Sequence, residues 1–215
     1  MSLKNGQLAA NSKWLPVTCL STCVQYTPVM SLRGAADSCV LQFPKFDPVL
    51  YTPVEMMVHL SLGSNLGHRE ATLHDAVRAL GRTPGIQVTQ VSSIFETEPV
   101  GFVEQPRFCN LAAEIETALE PLELLNAVKR IEVAIGRVPT HAWGPRLIDI
   151  DIVLWGDRIV STDTLTIPHK EFRTRAFVLI PLCEIAPDAV DPETGKTITA
   201  LAQSPSLQGH VERIS

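Results

Sequence analysis

Cysteine is scarce and unevenly placed: Cys19, Cys23 and Cys39 fall in the first forty residues, and only Cys109 and Cys183 come after them. That excludes a disulfide framework. The Cys19 to Cys23 spacing is at most half a metal site, since no matching Cys or His pair follows nearby, so unpaired thiols are expected. Long apolar runs are missing too, and nothing approaches the roughly 20 residues that span a bilayer. A secretory signal is not read either, because Lys4, Asn5, Gln7, Asn11 and Lys13 precede only the proline-broken stretch Trp14 to Leu20. The expectation is a cytoplasmic protein without a membrane partner. Positive charge is also short: 18 Lys and Arg against 23 Asp and Glu leave a net charge of -5. That excludes the broad basic surface a nucleic-acid backbone needs. A polyanionic ligand would have to be met by a local cluster of Arg, Lys and metal ions.

What is present is ordinary for a globular chain, with 45% hydrophobic and 19% charged residues over a length suited to one domain plus an extension. Residues 1–55 mix Pro, Ser, Thr and Cys with short apolar pieces and keep no period. They read as an irregular N-terminal extension, either disordered or an artefact of start-site choice, given Met56 and Met57 directly before the first strand. Residues 56–215 read as the catalytic domain. It opens with the alternating strand Val58 to Leu62 and the turn Gly63-Ser64-Asn65-Leu66-Gly67. Leu73, Ala76, Val77 and Leu80 then mark a helix ended by Gly81 and Pro84. Two β-rich stretches, Gln87 to Glu96 and Phe108 to Thr117, flank a Pro/Gly loop at Glu98 to Pro106. Pro121 starts a second helix, carried by Leu122, Leu125, Val128, Ile131 and Val133 and stopped by Gly136. A strand from Leu147 to Trp155 follows, then a turn at Gly156-Asp157, a loop through Pro168-His169 and an apolar helix from about Arg175 to Ile185. The order β, α, β, β, α, β predicts an α+β fold with the ferredoxin-like arrangement, a mainly antiparallel sheet with helices packed on it.

The most informative stretch runs from Trp143 to Trp155. Side chains alternate along a strand, so Asp149 and Asp151 share one surface about 7 Å apart, while Ile148, Ile150, Ile152 and Leu154 face the core. Spacing alone leaves a merely polar outer face as an equal reading. Aspartate is nevertheless disfavoured in strands, and neighbouring like charges want a cation. Oxygen-only ligation by one or two carboxylates suits magnesium. Arg137, Arg146, His169, Arg173 and Arg175 concentrate in the same third of the acidic chain, and carboxylates, arginines and magnesium together form a polyphosphate-handling unit. The Gly63 to Gly67 turn matches neither a P-loop nor a dinucleotide fingerprint, so it reads as a tight connection in which Asn65 orients its neighbours. His59, His68, His74, His141 and His210 lack ligand-like spacing and read as ordinary polar residues.

Several short motifs then fall in a specific order: Leu62-Gly-Ser-Asn-Leu66, Glu96-Thr-Glu-Pro-Val-Gly101, Gln105-Pro106, Phe108-Cys-Asn110, Arg130-Ile-Glu132, Gly136-Arg137, Trp143 through Asp151, Pro168-His169 and Arg175-Ala-Phe177. On these, from about residue 57 to 203, the chain resembles bacterial 6-hydroxymethyl-7,8-dihydropterin pyrophosphokinase, an enzyme of folate biosynthesis. The resemblance implies transfer of diphosphate from ATP to the pterin's hydroxymethyl oxygen, with two magnesium ions at Asp149 and Asp151. It implies that Glu132, Trp143, Arg146, Ile152, Thr166, His169 and Arg175 meet ATP, with Arg137 and Arg146 in loops over the phosphates. It implies a pterin pocket of Asn65, Thr97, Val100, Phe108, Asn110 and Phe177. No obligate protein partner is implied. A flat heterocycle wants aromatic faces and an amide along its edge, which Phe108, Phe177 and Asn110 can supply. The chain departs from well-known members in a shorter loop 137–143 carrying Pro139-Thr140-His141, in Lys170 after the motif histidine, and in Thr164. A non-catalytic ligand-binding module on the same architecture is the competing reading.

Overall fold

The structure is a computed structural model that describes residues 55–99, 104–138 and 144–214. Residues 1–54 of the expected extension therefore lie outside it, as do Val100, His141 and Trp143.

Strand β1 (Met56–Ser64) buries Val58, Leu60 and Leu62 completely, and these alternate residues define the inner face of the sheet. Helix α1 (Arg69–Gly81) lays Leu73, Ala76 and Leu80 on that face. Helix α2 (Pro121–Ile135) adds Leu124, Ala127, Val128 and Ile131 beside it. Its ends follow from local chemistry. Pro121 needs no hydrogen-bond partner in the first turn, the Glu123 carboxylate accepts the Glu120 N–H at 2.9 Å, and Gly136 takes a left-handed φ of 108° to close the helix. A fully buried leucine is worth roughly 1.5–3 kcal/mol in such a layer.

The sheet has six strands, all paired antiparallel. The expected strand over Gln87 to Glu96 is two, β2 (Ile86–Val91) and β3 (Phe95–Thr97), both lying against β4 (Phe108–Thr117). Ser92 makes the break, because its N–H donates to the Ala112 carbonyl while its own hydroxyl takes the Ala112 N–H, each at 2.9 Å. The sheet runs β5 (Asp149–Trp155), β1, β4, β3, β8 (Val211–Arg213), with β2 also paired to β4. Between β5 and the next helix lies the small hairpin β6 (Val160–Ser161) and β7 (Thr166–Ile167).

The outer face of the sheet is covered by α3 (Ala176–Ile185) and α4 (Ile198–Ala202). Ala112, Val153 and Leu154 pack there with Phe172, Val178, Leu179, Leu182, Ile198 and Leu201. This corrects the expected facing of Leu154. Val58 and His59 pair with Trp155 and Leu154, but Leu60 pairs with Ile152, so a bulge at Val153 shifts the alternation by one. Ile148, Ile150 and Ile152 point inward as expected, Val153 and Leu154 both go outward, and Trp155 returns to the inner core. Among the described residues no helix is long and apolar enough to cross a membrane.

Candidate active site

The outer face is open where β5, β1 and β4 present small or polar residues. Asp149 and Asp151 lie opposite Gly63 and Ser61 on β1, which in turn lie opposite Asn110 and Ala112 on β4. Small neighbours leave room above the strands, and two clefts meet there. The first, about 620 Å³ and partly open to solvent, is lined by Phe108, Phe177, Asn110, Thr97, Glu98 and Gln105. The second, about 1410 Å³, runs past Lys129, Arg137, Ile152, Thr166 and His169. Arg146, Asp149, Asp151 and Arg175 line both, so the carboxylates stand on the shared wall.

Charges converge on that wall. Arg137 and Arg146 each donate through Nη1 to one oxygen of Asp149, both at 2.6 Å. Arg137 also lies 2.6 Å from Glu132, which is 2% exposed and further accepts Lys129 Nζ at 2.9 Å and the Ile150 N–H at 2.8 Å. Glu132 thus anchors the end of α2 to the start of β5. Burial pushes the Asp151 carboxyl above its ordinary value and Asp149 pushes it further, against the pull of His169, Lys129 and Arg175. Burial lowers His169, with Asp151 opposing, and lowers Arg175, with Asp151 and Asp149 opposing. Arg137 is raised because Asp149 and Glu132 outweigh its burial.

The first cleft is built on a close approach. A Cβ at Gly63 would meet Asn110 Oδ1 at 2.8 Å, so only glycine lets the Asn110 amide lie flat across β1. Asn110 Nδ2 donates to Thr97 Oγ1 at 2.8 Å, which fixes the amide along the cleft floor. Arg175 stands over the Phe177 ring at 5.5 Å. Its guanidinium also pairs with Glu171.

Of the expected site residues, those named on the walls above are brought together. Asn65 is placed differently: it is 1% exposed, and its side chain accepts the Arg146 N–H at 2.7 Å and donates to Gln105 and the Pro106 carbonyl at 2.9 and 3.2 Å. It ties the turn after β1 to the approaches of both clefts. Lys170 and Thr164 also line the second cleft.

Two readings need correction. Gly63 and Ser64 belong to β1 and not to a turn, and Ser61 and Gly63 went unnoticed as wall residues. The signal was available, since His59, Ser61 and Gly63 alternate with Val58, Leu60 and Leu62. His59 is not an ordinary polar residue: it is 5% exposed, with Nε2 3.3 Å from the buried Glu114. Lys129 was also missed, although it stands one helical turn before Glu132.

A family model for 7,8-dihydro-6-hydroxymethylpterin-pyrophosphokinase matches residues 59–187. The chain is 45% identical over 129 residues to the 2-amino-4-hydroxy-6-hydroxymethyldihydropteridine pyrophosphokinase of Bacillus subtilis, covering 60% of this chain and 77% of that one. It is 38% identical over 157 residues to the protein of the same name from Pseudomonas aeruginosa, covering 73% and 96%. Against the bifunctional protein FolKE of Lactococcus lactis subsp. cremoris it is 46% identical over 127 residues, covering 59% of this chain and only 36% of that longer protein. The fold is similar to that of Plasmodium falciparum HPPK-DHPS, wild type, solved with pterin and p-hydroxybenzoate, with a TM-score of 0.56 at 16% identity, covering 72% of this chain and 44% of that one. The chain belongs to the 7,8-dihydro-6-hydroxymethylpterin-pyrophosphokinase family.

Proposed function

We propose that the protein transfers diphosphate from ATP to the hydroxymethyl oxygen of 6-hydroxymethyl-7,8-dihydropterin in folate biosynthesis. The observation that carries this reading is the carboxylate wall between two unlike clefts, one aromatic and amide-lined, the other basic and roomier. The pterin would lie in the first cleft against Phe108 and Phe177, with Asn110 and Thr97 on its polar edge. ATP would lie in the second, along Ile152, Thr166, His169 and Arg175. The hydroxymethyl group and the β-phosphorus then meet at Asp149 and Asp151. The pterin oxygen bonds to the β-phosphorus, the bond to the bridging oxygen of AMP breaks, and the hydroxyl proton passes to solvent.

The donor set fits magnesium: Asp149 and Asp151 are hard oxygen ligands lining the same wall of both clefts. Among the described residues there is no group of three or more His, Cys, Asp or Glu that could hold a metal. Any ion held there would take these two carboxylates and complete its shell from substrate phosphate and water. Two magnesium ions would supply charge neutralisation across the reacting phosphates. The chain's own contribution is alignment: Arg137 and Arg146 are held at Asp149, where a polyphosphate in the second cleft would meet them. Val100 and Trp143 complete the proposed contacts from outside the described residues.

The strand order supports the ferredoxin-like arrangement, with β2 and β3 together in the place of one strand. A cytoplasmic location, and action without nucleic acid, membrane or obligate protein partner, accompany this reading. Residues 1–55 are proposed to take no part in catalysis. The test is a product assay with ATP, magnesium and the dihydropterin. AMP and the pterin diphosphate are expected; ADP with a monophosphorylated pterin would place the protein among ordinary kinases.

A further inference from the structure

The segment that carries His169 and Arg175 to the cleft leaves β7 and makes only a short 3₁₀ turn, Phe172–Thr174, before α3. A stretch so short cannot hold two side chains in place by its own hydrogen bonds. It is held from outside, by backbone hydrogen bonds from the His169 N–H to the Val153 carbonyl and between Gln208 and residues 174 and 176, and by one side-chain pair. Arg173, between them, donates through Nε and Nη2 to the two oxygens of Asp191 at 2.6 and 2.8 Å. Asp191 is fully buried. Its carboxylate also accepts Thr194 Oγ1 at 2.5 Å and the Glu193 N–H at 3.2 Å, while its backbone closes the 191–196 turn with Gly195 and Lys196. Arg173 further reaches Glu193 at 2.7 Å and lies 4.9 Å above the Phe172 ring, whose side chain is fully buried under α3 and α4. Asp191 falls just beyond the residues 59–187 that match the family model.

We propose that the Arg173–Asp191 pair is a positioning clamp: it fixes the 3₁₀ turn to the C-terminal turn and so sets where His169 and Arg175 stand in the nucleotide cleft. A bidentate guanidinium–carboxylate pair suits this role because it fixes orientation as well as distance. Neither residue lines either cleft, so the clamp acts through its neighbours. The inference rests on the nucleotide reading of the second cleft.

Removing one partner strands a buried charge and can unfold the chain, whereas removing both with apolar residues is often neutral for stability. The decisive protein is therefore the full chain carrying Arg173→Met together with Asp191→Leu, compared with Arg173→Met alone. Thermal unfolding, calorimetric affinity for magnesium with a non-hydrolysable ATP analogue, and steady-state kinetics are measured on each. The double variant is expected to recover the wild-type midpoint that the single variant loses. Its nucleotide affinity stays about tenfold weaker, and the loss appears in the KM for ATP with kcat within about threefold. Wild-type affinity in a double variant that is equally stable would reduce the pair to a structural ion pair and overturn the proposal. A wild type that makes AMP while the double variant binds normally sinks the clamp alone. A wild type that neither makes AMP nor binds the analogue sinks the functional reading, and the clamp with it.

Discussion

The outer face of the sheet changes character within a few residues of β1. In the row of Leu154, His59 and Glu114 it is closed, with His59 and Glu114 both buried. Two residues further along, Ser61 and Gly63 lie beside Asp151 and Asp149 in an open cleft. At the closed end the Glu114 carboxylate is satisfied by Thr89 Oγ1 at 2.8 Å and Gln90 Nε2 at 3.3 Å, while both buried ring nitrogens of His59 lack a hydrogen-bond partner. At the open end Asp149 is held by Arg137 and Arg146, while its neighbour Asp151 is raised first by burial and then by Asp149. The closed end seals its polar groups from solvent, whereas the open end leaves carboxylates and arginines where a ligand can reach them.

That contrast can be broken in four ways. The largest effect is expected at the open end. Asp149→Asn or Asp151→Asn should cut AMP formation by about 10³-fold or more, the scale of lost electrostatic stabilisation at a reacting centre, while the protein still unfolds cooperatively. A loss below tenfold would remove the carboxylates from the chemistry.

On the inner face Leu60→Ala should instead cost stability, about 2–5 kcal/mol in urea unfolding, because Leu60 is fully buried in the layer under α1 and α2. Below the new midpoint its KM values should stay near wild type. Smaller still is Gly63→Ala, whose methyl would press on the Asn110 amide. Pterin affinity is expected to fall about tenfold, with ATP affinity within about twofold, by calorimetry. Equal loss on both ligands would mean that the strand itself had moved.

The smallest effect belongs to the closed end and to pH. Burial lowers the His59 pKa despite Glu114, the charged group facing it across the strand pair. With the folded value below the unfolded one, the contribution of His59 is complete above its unfolded pKa and is lost as pH falls through the folded value. Thermal midpoints from pH 7.5 down to 5 should therefore decline more in the wild type than in His59→Phe. Parallel curves would show that His59 carries no such linkage.

Much of the frame was legible along the chain because it depends on neighbours in sequence. The α2 boundaries follow from Pro121 and Gly136, and the shared side of Asp149 and Asp151 follows from strand alternation. Three departures from the local pattern needed a partner strand. Val153 bulges only because of its register with β1, and that bulge turned Leu154 outward. Ser92 splits β2 from β3 through Ala112, on a strand twenty residues away. Gly63 belongs to β1 through its pairing with Asn110, forty-seven residues further along the chain.

The sequence by itself determined the order of the main strands and helices through β5, the inward side of β1 and the two carboxylates, because period and local capping are properties of a few adjacent residues. It did not give the packed side of α2, where Leu122 and Val133 are exposed and Leu124 and Ala127 are buried. Only the tertiary structure decided that the carboxylates form a wall common to two clefts, and that Arg173 is held by a residue beyond the matched family segment. Register, bulges and buried ion pairs join residues far apart in the chain, and their energies depend on burial and distance, which no local pattern encodes.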